Sequence, residues 1–531
     1  MSRYSVLFIV IGMTVVSAAL ALLNPWLLLV TMIAGALSLL GVRDVLQTHH
    51  SVLRNYPVIG HLRWFFEEIR PEIRQYLLES DHDEEPFSRE QRSIIYQRAK
   101  GQEDKRPFGT RQHVYEAGYS WLTHSIAAQH IDDADFRITI GGPDCKQPYN
   151  ASIYNISAMS FGALSANAIS ALNQGAKAGG FAHDTGEGGI SVYHREGGGD
   201  LIYEIGTGYF GCRDSSGNFD PQGFQEQAAR DQVKMIEVKL SQGAKPGHGG
   251  VLPAAKISPE IAEARGVPMD QDCNSPASHS AFSTPVEFVH FLGKLRELSG
   301  AKPVGFKLCI GHRREFMCIV KAMLETGIVP DFIVVDGTEG GTGAAPLEFA
   351  NHIGTPLVEG LTFVHNTLRG AGLRDKVRLG ASGKLVTAFD IARISALGAD
   401  WCNSARGFMF AIGCIQAQAC HTNCCPSGVA TQDPARQRAL VPADKALRVA
   451  RFHANTLRAV ADMVGAAGLR HPKEFHPKHF NIRSESGETV TGDIAFAELP
   501  LGCLIEGTCT DKDYVGRWQR ARVESFAPVD D

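Results

Sequence analysis

From about residue 150 to residue 470, short β-branched or apolar runs alternate with helical patterns and glycine-rich segments. Strands that alternate with helices predict a parallel sheet with helices on its outside, because crossover helices connect the parallel strands. Helical patterns cover, for example, Pro285–Leu298, Arg314–Thr326 and Ala388–Leu397. The predicted strands are Ile153–Ala158, Lys234–Lys239, Pro303–Leu308, Phe332–Val335, Val377–Leu379 and Trp401–Ser404.

Such a sheet either closes as a (β/α)8 barrel or stays open and doubly wound. A barrel builds its site from all its strand-end loops, whereas an open sheet concentrates such signals at one or two points. No G-x-G-x-x-G fingerprint opens a βα unit here. Glycine and polar residues follow the predicted strands repeatedly, at Ser160–Gly162, Gly243–Lys245, Gly340–Gly343, Ser382–Lys384 and Ser404–Gly407. We therefore predict an α/β fold, a (β/α)8 TIM barrel, over residues 151–470.

The amino terminus, residues 1–43, is nearly free of charge, since no Asp, Glu, Lys or Arg lies between Arg3 and Arg43. Two apolar runs, Ser5–Leu23 and Trp26–Val42, flank the turn dipeptide Asn24-Pro25, and each is near the ~17–25 residues that span a bilayer. We expect a transmembrane helical hairpin in the cytoplasmic membrane, with both ends and the catalytic domain in the cytoplasm, because the arginines flank its ends. A cleaved signal peptide and a buried soluble hairpin are the alternatives.

Residues 44–150 are polar and charged, and residues 471–531 form a polar tail. We expect the first of these to be a helical segment that leads into the barrel and the second to wrap the barrel. Within Trp64–Leu78, Pro71 is expected to end one helix or to start another. The aromatic stretch Arg63–Arg70 is expected to pack against the barrel, with contact to lipid headgroups as the alternative.

Charge and cysteine content limit the class of protein. The chain has 52 Lys and Arg against 57 Asp and Glu, a net charge of −5. This balance argues against a nucleic-acid partner, because such binding depends on neutralising phosphates with basic residues. Twelve cysteines in 531 residues are too sparse for a disulfide scaffold, and a cytosolic domain keeps its thiols reduced.

Four of the cysteines fall within residues 414–425. Soft thiolates select iron–sulfur clusters or zinc. Three thiols leave no obvious fourth ligand unless Cys424 or His421 supplies it. Zinc normally takes four ligands from closely spaced pairs, and that spacing is missing here. Pro426 follows the last cysteine, as in ferredoxin loops. The C-x5-C-x4-C spacing thus favours an iron–sulfur cluster over zinc, and unliganded reduced cysteines remain the third interpretation.

Five segments occur in an order that resembles the FMN-binding synthase domain of glutamate synthases over residues 150–470. They are Met159-Ser160-Phe161-Gly162, Thr185-Gly186-Glu187-Gly188-Gly189, Gln242-Gly243-Ala244-Lys245-Pro246-Gly247, Gly340-Gly341-Thr342-Gly343-Ala344-Ala345-Pro346 and Gly413 to Gln432. With its hydrophobic start, the layout is similar to short, membrane-anchored, single-chain members of this family. The resemblance implies a (β/α)8 barrel that binds FMN and a [3Fe-4S] cluster.

The resemblance also implies roles for single residues. Cys414, Cys420 and Cys425 would hold the [3Fe-4S] cluster. The implied catalytic and substrate-binding residues are Glu187, Lys245 and Arg265, of which the two cations would hold 2-oxoglutarate. The implied flavin-binding residues are Met159, Ser160, Lys239, Gln242, Lys307, Gly341, Gly343, Ser382, Gly383, Lys384, Ser404, Ala405 and Arg406. Of these, Lys239 would stabilise charge near N1 of the reduced flavin. Lys307 ends another strand and is expected to point into the cavity that holds the flavin.

Three positions on the implied substrate side depart from the family pattern: Val251, Tyr209 and the segment Ser275–Ser280. Two histidines, His248 and His279, are acid–base candidates for which a structural role is favoured. The expected function is reduction of an imine, formed from a 2-oxo acid such as 2-oxoglutarate and ammonia or an amine, to an amino acid. Electrons would come from an external donor such as ferredoxin. An N-alkylglutamate-forming synthase and a non-catalytic membrane redox partner are the alternatives.

Overall fold

The structure, a computed structural model, describes residues 3–78, 85–252, 254 and 257–528. It divides the chain into two compact units, Met1–Arg89 and Glu90–Asp531. The first unit takes in the apolar amino terminus and the start of the polar segment that follows it. The second unit contains all the strands of the described residues.

The first unit begins with the α-helices Ser5–Leu20 and Leu27–Leu46, which pack against each other. The turn between them is fixed by Asn24, whose Oδ1 accepts a hydrogen bond from the backbone N–H of Trp26 at 3.2 Å. Hydroxyl groups join the two helices, with Thr14 Oγ1 3.0 Å from Ser38 Oγ. Leu27–Leu46 has the length and apolar composition of a membrane span, whereas Ser5–Leu20 is a shorter apolar helix.

The α-helices Ser51–Asn55 and His61–Ile73 follow, and the latter continues as the π-helix Arg74–Leu78. Pro71 lies inside the helix, so the prediction that it ends or starts one is wrong. Proline removes one backbone donor, and the next turn adapts, since the N–H of Arg74 bonds to the carbonyl oxygens of both Arg70 and Pro71. None of the residues of His61–Ile73 is buried.

The second unit is built on a closed barrel of eight parallel strands, which confirms the predicted (β/α)8 fold. Its strands, called β1 to β8 here, are Tyr154–Ile156, His183–Asp184, Leu201–Ile205, Val233–Lys239, Val304–Leu308, Phe332–Asp336, Arg378–Ser382 and Trp401–Ser404. The ring closes where β8 pairs with β1, with Ser404 opposite Ile156. Closure brings the carboxyl ends of all eight strands to one rim.

Two barrel strands, β2 and β3, are absent from the strands predicted from sequence. Strand β2 has only two residues, His183 and Asp184, which is too short for any periodicity to show. Strand β3 is entirely buried but carries Glu204, which interrupts its apolar run. The other six strands agree with prediction to within a few residues at their ends.

Helices cover the outside of the barrel. Pro285–Leu298 shows why they form, because Thr284 and Glu287 make a capping box and Pro285 occupies the first turn. The α-helices that follow the strands are Ala166–Gly179, Val192–Glu196, Pro221–Ala228, Pro259–Arg265, Pro285–Leu298, Arg313–Thr326, Leu347–His352, Leu357–Gly370, Ala388–Ala396, Arg406–Ala411, Pro434–Gln437 and Pro442–Ala466.

The expectation that residues 44–150 are helical fails after the α-helix Arg89–Lys100. Strand Ser120–Leu122 pairs with Phe480–Arg483 of the tail, which in turn pairs with Thr489–Thr491. The antiparallel pairs Arg137–Ile140 with Tyr149–Ser152 and Val251–Leu252 with Cys273–Asn274 complete the strands. The tail also contains Pro472–Glu474, Pro477–His479, Gly492–Ala495, Cys503–Glu506 and Lys512–Arg520, of which the first two are 3-10 helices.

At the amino-terminal rim of the barrel, Asp331 ties three segments together. Its carboxylate accepts the backbone N–H of Gly142 at 2.6 Å and that of Val304 at 2.8 Å. It also pairs with the Arg296 guanidinium at 3.0 Å. These bonds fix that rim, whereas the carboxyl rim opens to a cavity.

Candidate active site

A cavity of about 610 Å³ lies at the carboxyl rim of the barrel. Its volume is within the range of small-molecule and cofactor sites. Loops that follow β1, β2, β4, β6 and β8 line it, together with Glu204 from β3. Functional sites of (β/α)8 barrels lie at this rim, so this cavity is the candidate active site.

The cavity contains an ion pair between two residues that sequence analysis assigned to it. Lys239 is the last residue of β4, and its Nζ lies 3.1 Å from Oε2 of Glu187 in the loop after β2. Burial alone raises the pKa of Glu187, but Lys239, with Arg265 and Lys245 nearby, outweighs it and holds that pKa below its usual value. Glu187 is therefore an ionised carboxylate at neutral pH.

Two more cations line the cavity. Lys245 donates from Nζ to the carbonyl oxygen of Gly249 at 3.2 Å, and burial lowers its pKa. Arg265 ends a short helix and reaches back to the carbonyl oxygen of Phe161 at 3.3 Å. Its Nε is buried and has no hydrogen-bond partner among the described residues. The structure thus brings Glu187, Lys245 and Arg265 together.

The implied flavin-binding residues divide into those that line the cavity and those that do not. The lining set is Met159, Ser160, Lys239, Gln242, Gly341, Gly343, Ala405 and Arg406. The residues outside the lining are Lys307, Ser382, Gly383, Lys384 and Ser404. The hydroxyl of Ser382 donates to Asp336, and Gly383 and Lys384 have φ angles of 149° and 52°. The predicted phosphate-binding role of these loops stays a prediction.

Lys307 occupies a different place from the one expected. It was predicted to point into the cavity, but its ammonium lies inside the barrel among the carboxylates of Glu204, Glu237 and Asp184. The three carboxylates attract the ammonium, and this attraction holds the Lys307 side chain inside the barrel. Burial alone lowers the pKa of Lys307, but these carboxylates raise it well above its usual value.

The cysteine segment forms a bent loop beside the cavity. Cys420 and His421 line the cavity, and a Cβ added at Gly343 would lie 3.4 Å from Cβ of Cys420. Gln416, Gln418 and Asn423 have left-handed φ angles of 59°, 53° and 64°, which are uncommon outside glycine. Such backbone is found where a loop must wrap closely around a site.

The three cysteines assigned to the cluster are close enough to influence one another. Burial raises the pKa of the Cys414 thiol to about 11, and the nearby Cys420 and Cys425 add to the rise. Burial alone would also raise the pKa of the Cys425 thiol, but hydrogen bonds from Ser427 and from backbone N–H groups outweigh burial, so this pKa is lowered. Three neighbouring thiols in a wrapped loop fit a cluster with three cysteine ligands. Cys424 is exposed.

Two departures from the family pattern form a hydrogen-bonded chain behind Lys239. The hydroxyl of Tyr209 lies 3.0 Å from Nδ1 of His279, and Nε2 of His279 lies 2.9 Å from the carbonyl oxygen of Lys239. Burial lowers the pKa of His279 to about 4, so the ring is neutral at neutral pH. The structural role favoured for His279 agrees with this placement. The side chain of Val251 lies outside the described residues.

Sequence analysis missed some residues of the cavity wall, among them Glu204, Ser275 and Met409. Glu204 had a usable signal, because a glutamate in the buried run Leu201–Ile205 needs a partner. Ser275 lies in the segment Ser275–Ser280, which departs from the family pattern. Met409 follows the strand-end motif Ser404–Gly407, but its apolar side chain gave no signal of a site. His248 also lines the cavity, and its Nδ1 lies 2.7 Å from the carbonyl oxygen of Gly249.

The residues present fit an anionic cofactor such as FMN. Lys239, Lys245, Arg265 and Arg406 place four cationic side chains in the wall of one cavity. A phosphate or a carboxylate is stabilised by such cations through charge-assisted hydrogen bonds. The backbone of Gly341 and Gly343 lies beside Arg406 and Cys420, since an added Cβ would make ordinary contacts with them at 3.6 and 3.4 Å.

The Glu187–Lys239 pair generates a prediction about stability and pH. Glu187→Gln should lower the free energy of unfolding at about pH 7 by about 1–3 kcal/mol, because Lys239 loses its partner. The folded pKa of Glu187 lies below the usual 4.5. The contribution of the Glu187 carboxylate to stability is therefore complete above pH 4.5 and is lost as pH falls through the folded pKa.

Urea unfolding of the wild type and of Glu187→Gln at about pH 7 and at about pH 4 measures this difference. Glu485→Gln, at a loop outside the cavity lining, is the matched control and should change little at either pH. If Glu187→Gln lowered the free energy of unfolding equally at both pH values, the assigned ionisation of Glu187 would be contradicted.

Comparison with known proteins identifies the family. Residues 134–470 match the family described as a conserved region in glutamate synthase. The glutamate synthase large subunit-like protein YerD of Bacillus subtilis (strain 168) is 38% identical over 85% of this chain and 93% of its own. A crystal structure of mandelate oxidase overlays with a TM-score of 0.42 and 14% identity, over 81% of this chain and 97% of its own.

Two further relatives are glutamate synthases by name. The archaeal-type glutamate synthase (NADPH) of Thermotoga neapolitana is 32% identical over 59% of this chain and 58% of its own. The archaeal glutamate synthase (NADPH) of Methanocaldococcus jannaschii is 33% identical over 59% of this chain and 58% of its own. The chain thus matches less than two thirds of the length of these two relatives. With the motifs and the barrel already described, these matches show that the chain belongs to the glutamate synthase family of oxidoreductases.

Proposed function

We propose that this chain reduces the imine of a 2-oxo acid to an amino acid, with 2-oxoglutarate as the preferred acid and ammonia or an amine as the nitrogen source. One observation carries the proposal: Lys239, Lys245 and Arg265 converge with the ionised Glu187 on one cavity at the carboxyl rim. That set of charges suits a dicarboxylate substrate and a positively charged imine nitrogen in the same site.

We also propose FMN as the cofactor, supported by the family and by the fit of the cavity. Bound in its reduced form, FMN supplies a hydride. Lys239 would stabilise negative charge on the cofactor, and Arg406 would pair with its phosphate. Met159, Ser160, Gln242 and the glycines at 341 and 343 would hold it through side-chain and backbone contacts.

The residues on the substrate side have separate tasks. Lys245 and Arg265 would bind the two carboxylates of the acid, with the guanidinium gripping one of them. The lowered pKa of Glu187 leaves it ionised, so it is not the acid that supplies a proton. Its carboxylate would orient and stabilise the protonated imine nitrogen, and the proton that balances the reduction must come from another group.

Substrate binding by Lys245 gives a direct test. Lys245→Met should raise KM for 2-oxoglutarate by about 10- to 100-fold, because a charge-assisted contact of about 1.5–3 kcal/mol is lost. The assay follows reoxidation of anaerobically photoreduced enzyme by 2-oxoglutarate with ammonia. Lys234→Met is the matched control, since Lys234 lies near the amino-terminal end of β4 and outside the cavity lining.

The same assay separates the alternative functions. Reoxidation with methylamine but not with ammonia would identify an N-alkylglutamate-forming synthase. No reoxidation with any pair of 2-oxo acid and amine would overturn the proposed reaction and favour a non-catalytic redox partner. An unchanged KM in Lys245→Met would remove that residue from the substrate site.

We further propose that Cys414, Cys420 and Cys425 hold a [3Fe-4S] cluster that receives electrons from an external donor such as ferredoxin. Serine at any of the three should lower iron and acid-labile sulfide to a small fraction of the wild-type content, because a hard oxygen ligand replaces a soft thiolate. Cys424→Ser is the matched control and should keep both. Equal loss in Cys424→Ser, or no iron in the wild type, would contradict the assignment.

We propose, finally, that the hairpin Ser5–Leu20 and Leu27–Leu46 anchors the chain in the cytoplasmic membrane. Support comes from the exposed apolar side chains of Leu27–Leu46, including Leu29 and Ile33 at 56% each. Arginine at Ile33 and at Leu39, on either side of the middle of Leu27–Leu46, should release the full chain from alkali-washed membranes, since each charge near mid-span costs about 2.5–3.5 kcal/mol. Asn24→Lys, at the turn, is the control, and a wild type extracted by alkali would refute the anchor.

A further inference from the structure

Four charged side chains meet inside the barrel, below the cavity. Asp184, Glu204, Glu237 and Lys307 come from the consecutive strands β2, β3, β4 and β5, and each is at most 3% exposed. Oxygen atoms of the three carboxylates lie within 4.8 Å of one another. The Lys307 ammonium pairs with Glu204 and lies 2.9 Å from Glu237 and 3.9 Å from Asp184.

The charges in this cluster do not balance. Three carboxylates surround one ammonium, so two negative charges remain uncompensated if every group is ionised. Asp336 on β6 adds a further carboxylate near Lys307. Burial of unpaired charge is strongly unfavourable, and such groups bind a proton instead. The cluster must therefore take up protons to be stable inside the barrel.

The hydrogen bonds show where a proton fits. Glu204 and Glu237 are opposite each other in the ladder of β3 and β4. Neither carboxylate oxygen of Glu237 has a partner with good hydrogen-bond geometry among the described residues, although Lys307 and Glu204 lie beside them. A carboxylic acid has an O–H donor that a carboxylate lacks. One proton shared between the two glutamates supplies the missing bond.

Glu204 alone of the four also lines the cavity, near Lys239 and Lys245. We propose that Glu204 and Glu237 hold one proton inside the barrel at neutral pH, and that Glu204 passes this proton to a base bound in the cavity. The identity of that base rests on the proposed function: it is the amine nitrogen left after hydride addition to the imine.

The proton balance of this step is simple. The O–H bond of the Glu204 carboxylic acid breaks, an N–H bond forms on the product amine, and Glu204 becomes a carboxylate paired with Lys307. Solvent that enters when the ammonium product leaves returns one proton to Glu204. The ionised Glu187 holds the nitrogen in place and does not donate the proton.

Burial is consistent with this arrangement. It raises the pKa of Glu237 to about 7, with Lys307 opposing the rise and Glu204 adding to it. It also raises the pKa of Asp184 well above its usual value, again opposed by Lys307. At neutral pH the cluster is therefore poised to hold a proton and to release it.

Infrared spectroscopy of the resting protein tests the stored proton without turnover. The wild type at about pH 7 should show protonated-carboxyl absorption with a band that shifts when glutamate is labelled with ¹³C. Glu237→Gln should remove the band. A wild type without a glutamate-sensitive band would overturn the proposal, and this outcome needs no variant to fold.

Two variants test the share of Glu204 in the stored proton. Glu204→Gln should also remove the band, because its amide N–H can donate to Glu237 as the shared proton does. Asp331→Asn is the matched control, since this buried carboxylate has its own partner in Arg296, and its band should equal that of the wild type. A band of wild-type intensity in Glu204→Gln would overturn the shared proton.

Turnover provides a separate reading. If the proposed reaction occurs, Glu204→Gln should lower kcat by about 100-fold or more with little change in KM, the signature of a lost proton donor. If no 2-oxo acid is reduced by the wild type, the proposed function fails while the infrared results still decide whether the barrel stores a proton.

Discussion

Pairing of β8 with β1 is the interaction on which the rest of the molecule depends. Through Ser404 and Ile156, the last and first strands of a long segment meet and remove both sheet edges at once. Only in a closed ring do the loops after β1, β2, β4, β6 and β8 face one another. Residues far apart in sequence, such as Glu187 and Lys239, then come within 3.1 Å.

Closure also creates an interior that is sealed from water, and the charged residues there are the second constraint. An apolar filling would be simpler, yet four consecutive strands each contribute an ionisable side chain. Such a set persists only when its members compensate one another, because removal of one leaves a buried charge unpaired. The position of Lys307 follows from this balance, and Glu204 connects the interior with the cavity.

Much of the fold could be predicted from sequence, because alternation of strands and helices and the glycines at strand ends are local signals. The barrel and six of its strands were predicted, and so was the grouping of Glu187, Lys245 and Arg265. Strand β2 was missed because two residues show no period. Pairing of Ser120–Leu122 with Phe480–Arg483 was missed because it joins segments more than 350 residues apart, which no local pattern reveals.

The site was less predictable than the fold for the same physical reason. A motif identifies the residue but leaves open the direction of its side chain, which depends on neighbouring strands. Lys307 and Lys239 are directly opposite each other in the ladder of β4 and β5. One lines the cavity and the other lies among carboxylates. The different positions of the two lysine side chains follow only from the three-dimensional arrangement of Asp184, Glu204 and Glu237.

The register between β8 and β1 has a consequence for biosynthesis. Strand β1 lies near residue 155, but its partner ends at Ser404, so about 250 residues are synthesised before the ring can close. During translation, β1 keeps one edge without its native partner, and exposed edges invite pairing with other chains. The nascent protein therefore passes through a long aggregation-prone stage in which chaperones can protect the incomplete sheet.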